Sequence, residues 1–281
     1  MERSCSMNVE SVFIDIDGTL MDSHGNITSD SIRLIKKLVN NNVKVVINSG
    51  RILSEIKTVL KKMDVILPVI GCNGGFITDD NCEGFKALNL VPKHALTECM
   101  EICRKQKAIK CYSTAQYFYT DTNFKPFMEM SRAKHVELVK GNLMAEPVYV
   151  KENEWQELFK NKEYIKFNAY AESPELQPQL EAALSEISGV SLSFKSPQFL
   201  EYSACGINKG YSMLSYLHMH GLSQNTSVAI GDGGNDIQMI EAAGIGIAMG
   251  NAEDSLKKQA DFVAGRIDEN GLSQILEKLM S

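Results

Sequence analysis

The chain has 281 residues, 44% of them hydrophobic, and a formal net charge of −6. That length holds one large domain or two modest ones, and an acidic balance without a Lys/Arg stripe argues against general nucleic-acid binding. No apolar run reaches the length of a membrane span, and residues 1–10 are polar without the apolar centre of a secretory signal, so a cytoplasmic protein with no membrane partner is expected. The seven cysteines are odd in number and form no Cys-x-x-Cys pair, which fits a reducing compartment.

An apolar run at 11–14 predicts the first strand, which ends in Asp15-Ile16-Asp17-Gly18-Thr19. Thr28 then reads as a helix N-cap, with Ile32, Ile35, Leu38 and Val39 at helical spacing and Asn40-Asn41-Asn42 as the stop. A second strand at 43–47 delivers Asn48-Ser49-Gly50-Arg51. A helix marked by Ile52, Ile56, Val59, Leu60 and Met63 follows, and then a third strand at 65–70. Strands alternating with helices of this length predict a parallel sheet covered on both faces. Asn73-Gly74-Gly75 breaks the rhythm, and 76–86 reads as a hairpin.

Beyond it, short strands near 109–113, 116–120, 164–171, 190–194 and 199–202 interleave with helices near 93–106, 125–133, 153–161 and 174–187. From Asn208 the first rhythm returns, with a helix at 209–220, a strand at 227–230, a helix at 235–243, strands at 245–248 and 261–263 and a last helix at 272–279. The expected fold is therefore α/β. A Rossmann-like, doubly wound parallel core is built from residues 1–82 and 201–281, and an α+β domain is inserted at 83–200.

Two carboxylates one residue apart at the exit of a buried strand repel each other and lose hydration. Asp15 and Asp17 thus call for a cation, which magnesium would supply. Three other segments answer them: Ser49-Gly50 after the second strand, Lys209 at a helix start, and Gly231-Asp232-Gly233-Gly234-Asn235-Asp236 after the 227–230 strand. A lysine at a helix N-terminus opposes the helix dipole, so Lys209 needs an anion nearby.

These four motifs, in this order, resemble those of the haloacid dehalogenase superfamily phosphohydrolases, in particular the Cof-type branch (type IIB) with a large α/β cap. The resemblance implies Asp15 as the nucleophile that forms an aspartyl-phosphate, and Asp17 as general acid and then base. It implies Asp15, the Asp17 carbonyl, Asp232 and Asp236 around Mg2+, with Asp236 direct or through water. Ser49, Gly50, Lys209 and Asn235 would hold the phosphate. Arg51 is a secondary phosphate candidate that could equally pair with a core carboxylate, and Asn251 matches a segment beside the family's active-site loops.

The implied function is a magnesium-dependent phosphatase of small phosphomonoesters such as sugar phosphates. A phosphomutase of phosphomannomutase type and a non-catalytic phosphometabolite sensor are the alternatives. In the inserted domain Tyr112, Tyr117, Tyr119, Lys166 and Asn168 are candidate contacts to the leaving group, and Arg104 and Arg132 are its only arginines, which weakens the mutase. His94, Cys99 and Cys103 lack a fourth partner for zinc. The glycines at 244, 246 and 250 have the wrong spacing and place for a dinucleotide fingerprint.

Overall fold

The computed structural model describes residues 8–134 and 136–280, so Cys5 and most of the polar N-terminal stretch lie outside the described residues. The chain opens with β1 (Ser11–Ile14), β2 (Lys44–Asn48), β3 (Val69–Gly71), β4 (Phe76–Thr78) and β5 (Phe85–Ala87). There follow β6 (Ile109–Ser113), β7 (Phe118–Asp121), β8 (Val148–Val150), β9 (Lys166–Tyr170), β10 (Val190–Ser196) and β11 (Phe199–Ala204). The chain closes with β12 (Ser227–Gly231), β13 (Ile245–Ala248) and β14 (Phe262–Val263).

One sheet has eight strands in the order β14-β13-β12-β1-β2-β3-β4-β5. From β14 to β3 every pairing is parallel, and the β4 and β5 pairings are antiparallel. The winding runs outward from β1 through β2 and β3, then restarts at β12 on the other side of β1. The boundary between β1 and β12 is therefore the topological switch point, where crevices form at strand C-termini.

The strands are apolar throughout because both faces are covered. Side chains alternate, so Val12 and Ile14 of β1 join Val45, Ile47, Val228 and Ile230 in one core, while Phe13, Val46 and Ala229 point to the other. The first core is closed by α1 (Ser29–Asn40) and α2 (Leu53–Met63). Thr28 caps α1 as its sequence position predicts, its hydroxyl accepting from the Ser31 N–H at 3.2 Å.

The second sheet has six strands in the order β10-β11-β9-β6-β7-β8 and is antiparallel except at β7–β8. Around it run α3 (Lys93–Lys105), α4 (Lys125–Lys134), α5 (Val136–Lys140), α6 (Trp155–Asn161) and α7 (Gln177–Ser185). Tyr112, Trp155, Phe159, Tyr164, Phe167 and Tyr202 fill the core between one face of this sheet and α3, α6 and α7. The last helices are α8 (Lys209–His220), α9 (Ile237–Ala242), α10 (Asp254–Gln259) and α11 (Gly271–Lys278). Of these, α8, α9 and α10 pack on the Phe13 side and α11 on the Val12 side, so the first sheet is wound on both faces as expected.

Local differences have local causes. The third strand is confined to Val69–Gly71 because Pro68 brings a carbonyl, which accepts from Ile47 N–H at 3.0 Å, but no N–H for the ladder. β8, α5 and α10 are too short to leave a period in the sequence. β5 carries the first sheet beyond residue 82. No helix among the described residues is long and apolar enough to cross a membrane.

Candidate active site

The four motifs meet at the C-terminal ends of β1, β2 and β12. The Asp15 N–H continues the β1 ladder onto Ile230 O at 3.0 Å, which sets its side chain at the switch point. Gly18 turns the chain back with φ +84, a conformation that favours glycine, and a Cβ there would overlap the Asp232 carboxylate. The Thr19 hydroxyl donates to Asp232 Oδ1 at 3.0 Å, and the Asn251 amide donates to Gly18 O at 2.8 Å and Asp232 Oδ2 at 3.4 Å. Gly18→Ala is expected to cost more than about 1 kcal/mol of stability, read as a lower urea midpoint, since it combines a left-handed φ with a clash; an unchanged midpoint would show that the loop is freer than this contact allows.

Lys209 begins α8 with no exposed surface. Its Nζ donates to Asp15 Oδ1 and Asp236 Oδ1, each at 2.6 Å. Burial works against its charge, but the two carboxylates outweigh it and hold the ammonium protonated. Asp236 has both oxygens engaged, because Oδ2 accepts the N–H groups of Asp232 at 3.0 Å and Gly233 at 2.9 Å. Ligand oxygens of Asp15, Asp232 and Asp236 all lie within 4.8 Å of one another, the only such His/Cys/Asp/Glu group of three among the described residues. Burial and neighbouring carboxylates push Asp15 well up, against the pull of Lys209, and push Asp232 up to about 6. A hard cation between them would relieve that repulsion, so the donor set fits a magnesium-like ion.

Asp17 sits at the cleft with its side chain 54% exposed. Arg51 grips it with two charge-assisted bonds, Nε to Oδ2 at 2.7 Å and Nη2 to Oδ1 at 2.6 Å. The same guanidinium donates to the main-chain oxygen of Leu143, in the turn after α5. Of the two readings the sequence left for Arg51, the structure displays carboxylate pairing. Ser49 is buried, and its hydroxyl accepts the Arg51 N–H at 3.3 Å, while Gly50 lines the cleft directly.

Asn73 had no role assigned from sequence, where Asn73-Gly74-Gly75 reads only as a break. In the fold it is a left-handed residue with φ 54. Its amide oxygen accepts from Asn235 Nδ2 at 2.9 Å, and its nitrogen donates to Glu201 Oε1 at 2.5 Å. Glu201 also accepts from Lys166 Nζ at 2.5 Å, and Lys166 reaches on to Gly50 O at 2.8 Å. A polar chain thus runs from the second sheet to both phosphate-loop candidates. Asn after a strand tolerates a positive φ, and that was the available signal.

The cleft above these residues measures about 500 Å³ and includes Asp15, Asp17, Asp232, Asn235 and Asn251 in its lining, with Phe194, Phe199 and Glu201 facing them from β10 and β11. Several sequence candidates fall elsewhere. Tyr112 is fully buried with its hydroxyl donating to Leu96 O at 3.2 Å, and Tyr119 packs on Tyr164. Tyr117 lines separate grooves. The Asn168 amide oxygen is buried without a partner. Cys99 and Cys103 lie with sulfurs 4.0 Å apart in the second core, and His94 Nε2 meets Ser188, so no zinc cluster assembles there.

Fold and site together define a class: an α/β enzyme with an acidic cluster that could hold a cation at the switch point of its sheet, facing an α+β layer. Residues 12–276 match the haloacid dehalogenase-like hydrolases, and the chain belongs to that family, in its phosphatase branch. It is 27% identical over 271 residues to the 5-amino-6-(5-phospho-D-ribitylamino)uracil phosphatase YcsE of Bacillus subtilis, covering 96% of this chain and 95% of the other. To a phosphoglycolate phosphatase of Methanobrevibacter smithii it is 24% identical, covering 98% and 100%. A haloacid dehalogenase-like hydrolase from Bacteroides thetaiotaomicron shares the fold with a TM-score of 0.82 at 23% identity, covering 96% and 99% of the two chains.

Proposed function

We propose that the protein is a magnesium-dependent phosphatase of small phosphomonoesters, sugar phosphates among them, acting through an aspartyl-phosphate on Asp15. The observation that carries this reading is the protonated Lys209 held between Asp15 and Asp236, with Asp232 close by. Asp15, Asp232 and the Asp17 carbonyl would hold the ion. Asp236, whose oxygens already take Lys209 and two loop amides, would support it from behind. When bound, magnesium draws negative charge off the phosphoryl oxygens.

Lys209 fixes Asp15 Oδ1, so Oδ2 is the oxygen turned to phosphorus. Attack forms the Asp15–phosphorus bond and breaks the ester bond, while Asp17 gives a proton to the departing oxygen. Asp17 then takes a proton from the water that attacks the phosphoenzyme, releasing inorganic phosphate and restoring Asp15. The Arg51 pair suits the carboxylate needed for this second step; for the first, Asp17 must leave Arg51 and take up a proton. Asn235 spends one N–H on Asn73 and has a second for the phosphate.

The insertion at 83–200 acts in this reading as a cap that excludes water and meets the leaving group. None of its described residues that line the cleft is cationic, which disfavours a mutase that must grip a second phosphate. Phosphate release from a phosphomonoester panel tests the reading: magnesium should be required, a chelator should stop release, and Asp17→Asn should slow it by about a hundredfold or more. Binding without release would favour the sensor, and a wild-type rate in Asp17→Asn would remove Asp17 from the chemistry.

A further inference from the structure

Resting on the phosphatase reading, we propose that the Lys166–Glu201 ion pair is a positioning device for the phosphate site: it sets which way the amides of Asn73 and Asn235 face, so that Asn235 turns an N–H, not its oxygen, to the phosphoryl group. The pair stands on the adjoining strands β9 and β11. Lys166 is 6% exposed, and Glu201 and Asn73 are each 4% exposed, so none of the three can turn to bulk water. An Asn amide is close to symmetric in shape, and hydrogen bonding decides its direction. Here an ammonium, which only donates, and a carboxylate, which only accepts, decide it. Lys166 Nζ donates to Glu201 Oε2 at 2.5 Å. Burial works against the charge of Lys166, but Glu201 outweighs it and keeps the ammonium protonated.

The other Glu201 oxygen, Oε1, accepts from the Ser193 hydroxyl at 3.1 Å and from Asn73 Nδ2 at 2.5 Å. Asn73 must therefore meet Glu201 with its nitrogen and show Asn235 its oxygen. That oxygen accepts only, so Asn235 answers with its own nitrogen, at 2.9 Å. One Asn235 N–H is spent there, and the second is left at the cleft that Asn235 lines. Reversing one amide reverses the next and sets a carbonyl oxygen against the anion. The backbone holds the middle member still: Asn73 has φ 54, and its N–H donates to Ser49 O at 3.1 Å. A second arm starts at the same ammonium, because Lys166 Nζ also donates to Gly50 O at 2.8 Å. The N–H of that peptide, carried by Arg51, donates to the Ser49 hydroxyl oxygen at 3.3 Å, which leaves the Ser49 proton to be given away. Both arms begin in the second sheet and end in hydrogen donors on the phosphate candidates.

Asn73→Gly is the mildest test, because glycine accepts the left-handed backbone and Glu201 keeps Lys166. The full-length parent, Asn73→Gly, Glu201→Gln, Asn235→Ala and the double variants should be compared with magnesium. The readouts are kcat/KM for acetyl phosphate and ribose 5-phosphate, and the inhibition constant of inorganic phosphate. Each single change is expected to lower kcat/KM by about tenfold and to weaken inorganic phosphate by a similar factor. Adding Glu201→Gln to Asn73→Gly, or Asn73→Gly to Asn235→Ala, should alter either readout by less than about twofold, because the links act in series. The inhibition constant does not depend on how much enzyme is folded, so a general loss of structure leaves it at the parent value. Losses that multiply to about a hundredfold in the doubles, or an unchanged phosphate affinity in Asn73→Gly, overturn the positioning and leave the phosphatase reading standing. A Glu201→Gln loss seen with ribose 5-phosphate and absent with acetyl phosphate places Glu201 on the leaving group and overturns it as well. If Glu201→Gln does not fold, the Asn73 and Asn235 variants decide alone. No release from any ester by the parent overturns both readings.

Discussion

Asp15→Asn is expected to reduce phosphate release by at least about a thousandfold and, in metal-free buffer at neutral pH, to raise the melting temperature by a few degrees. The first effect follows because an amide is a poor nucleophile. The second follows from electrostatics. Burial first, and the neighbouring carboxylates after it, raise Asp15 well above its usual value despite Lys209. A raised pKa in the folded state means that ionisation favours unfolding, so its penalty is absent below the unfolded carboxylate range and grows as pH rises through the folded value. Asn removes the penalty and leaves Lys209 paired with Asp236. The stabilisation should therefore fade in acid. Thermal unfolding of both proteins at two pH values checks this, and a less stable Asn variant at neutral pH would mean that Lys209 needs both carboxylates.

Lys209→Met is expected to produce the largest loss of stability. It leaves buried carboxylates with no protein cation, and stranding one partner of a buried pair costs about 3–5 kcal/mol. Urea unfolding in a chelator should show that drop. Magnesium should recover part of it, because an ion that binds only the folded state stabilises by mass action, and catalysis should stay low for want of the ammonium that fixes Asp15 Oδ1 in the proposed mechanism. A variant as stable as the parent would mean that the acidic cluster is protonated or hydrated rather than held by Lys209.

The core was readable where the residues state a period and an exit. The 11–14 run, a two-sided buried strand, points directly at Asp15, and the 227–230 run does the same for Asp232. Lys209 was conspicuous because its position at a helix start makes sense only beside an anion, and Asp15 and Asp236 are there. The second sheet was harder. Its strands are recognisable, but which face of β11 meets the core depends on register, and a one-residue shift exchanges the faces. Glu201, Phe194 and Phe199 went unremarked for that reason, while Tyr112 and Tyr119, equally good candidates by type, turned inward. Asn73 was missed because a left-handed bridge between three segments looks, in sequence, like any Asn-Gly turn.

The guanidinium of Arg51 touches both Asp17 and the backbone of the segment after α5. Any swing of that segment away from the sheet breaks one of these ties and slackens the other. If Asp17 carries the proton as proposed, admitting an ester and freeing that carboxylate to take up a proton would be one mechanical event.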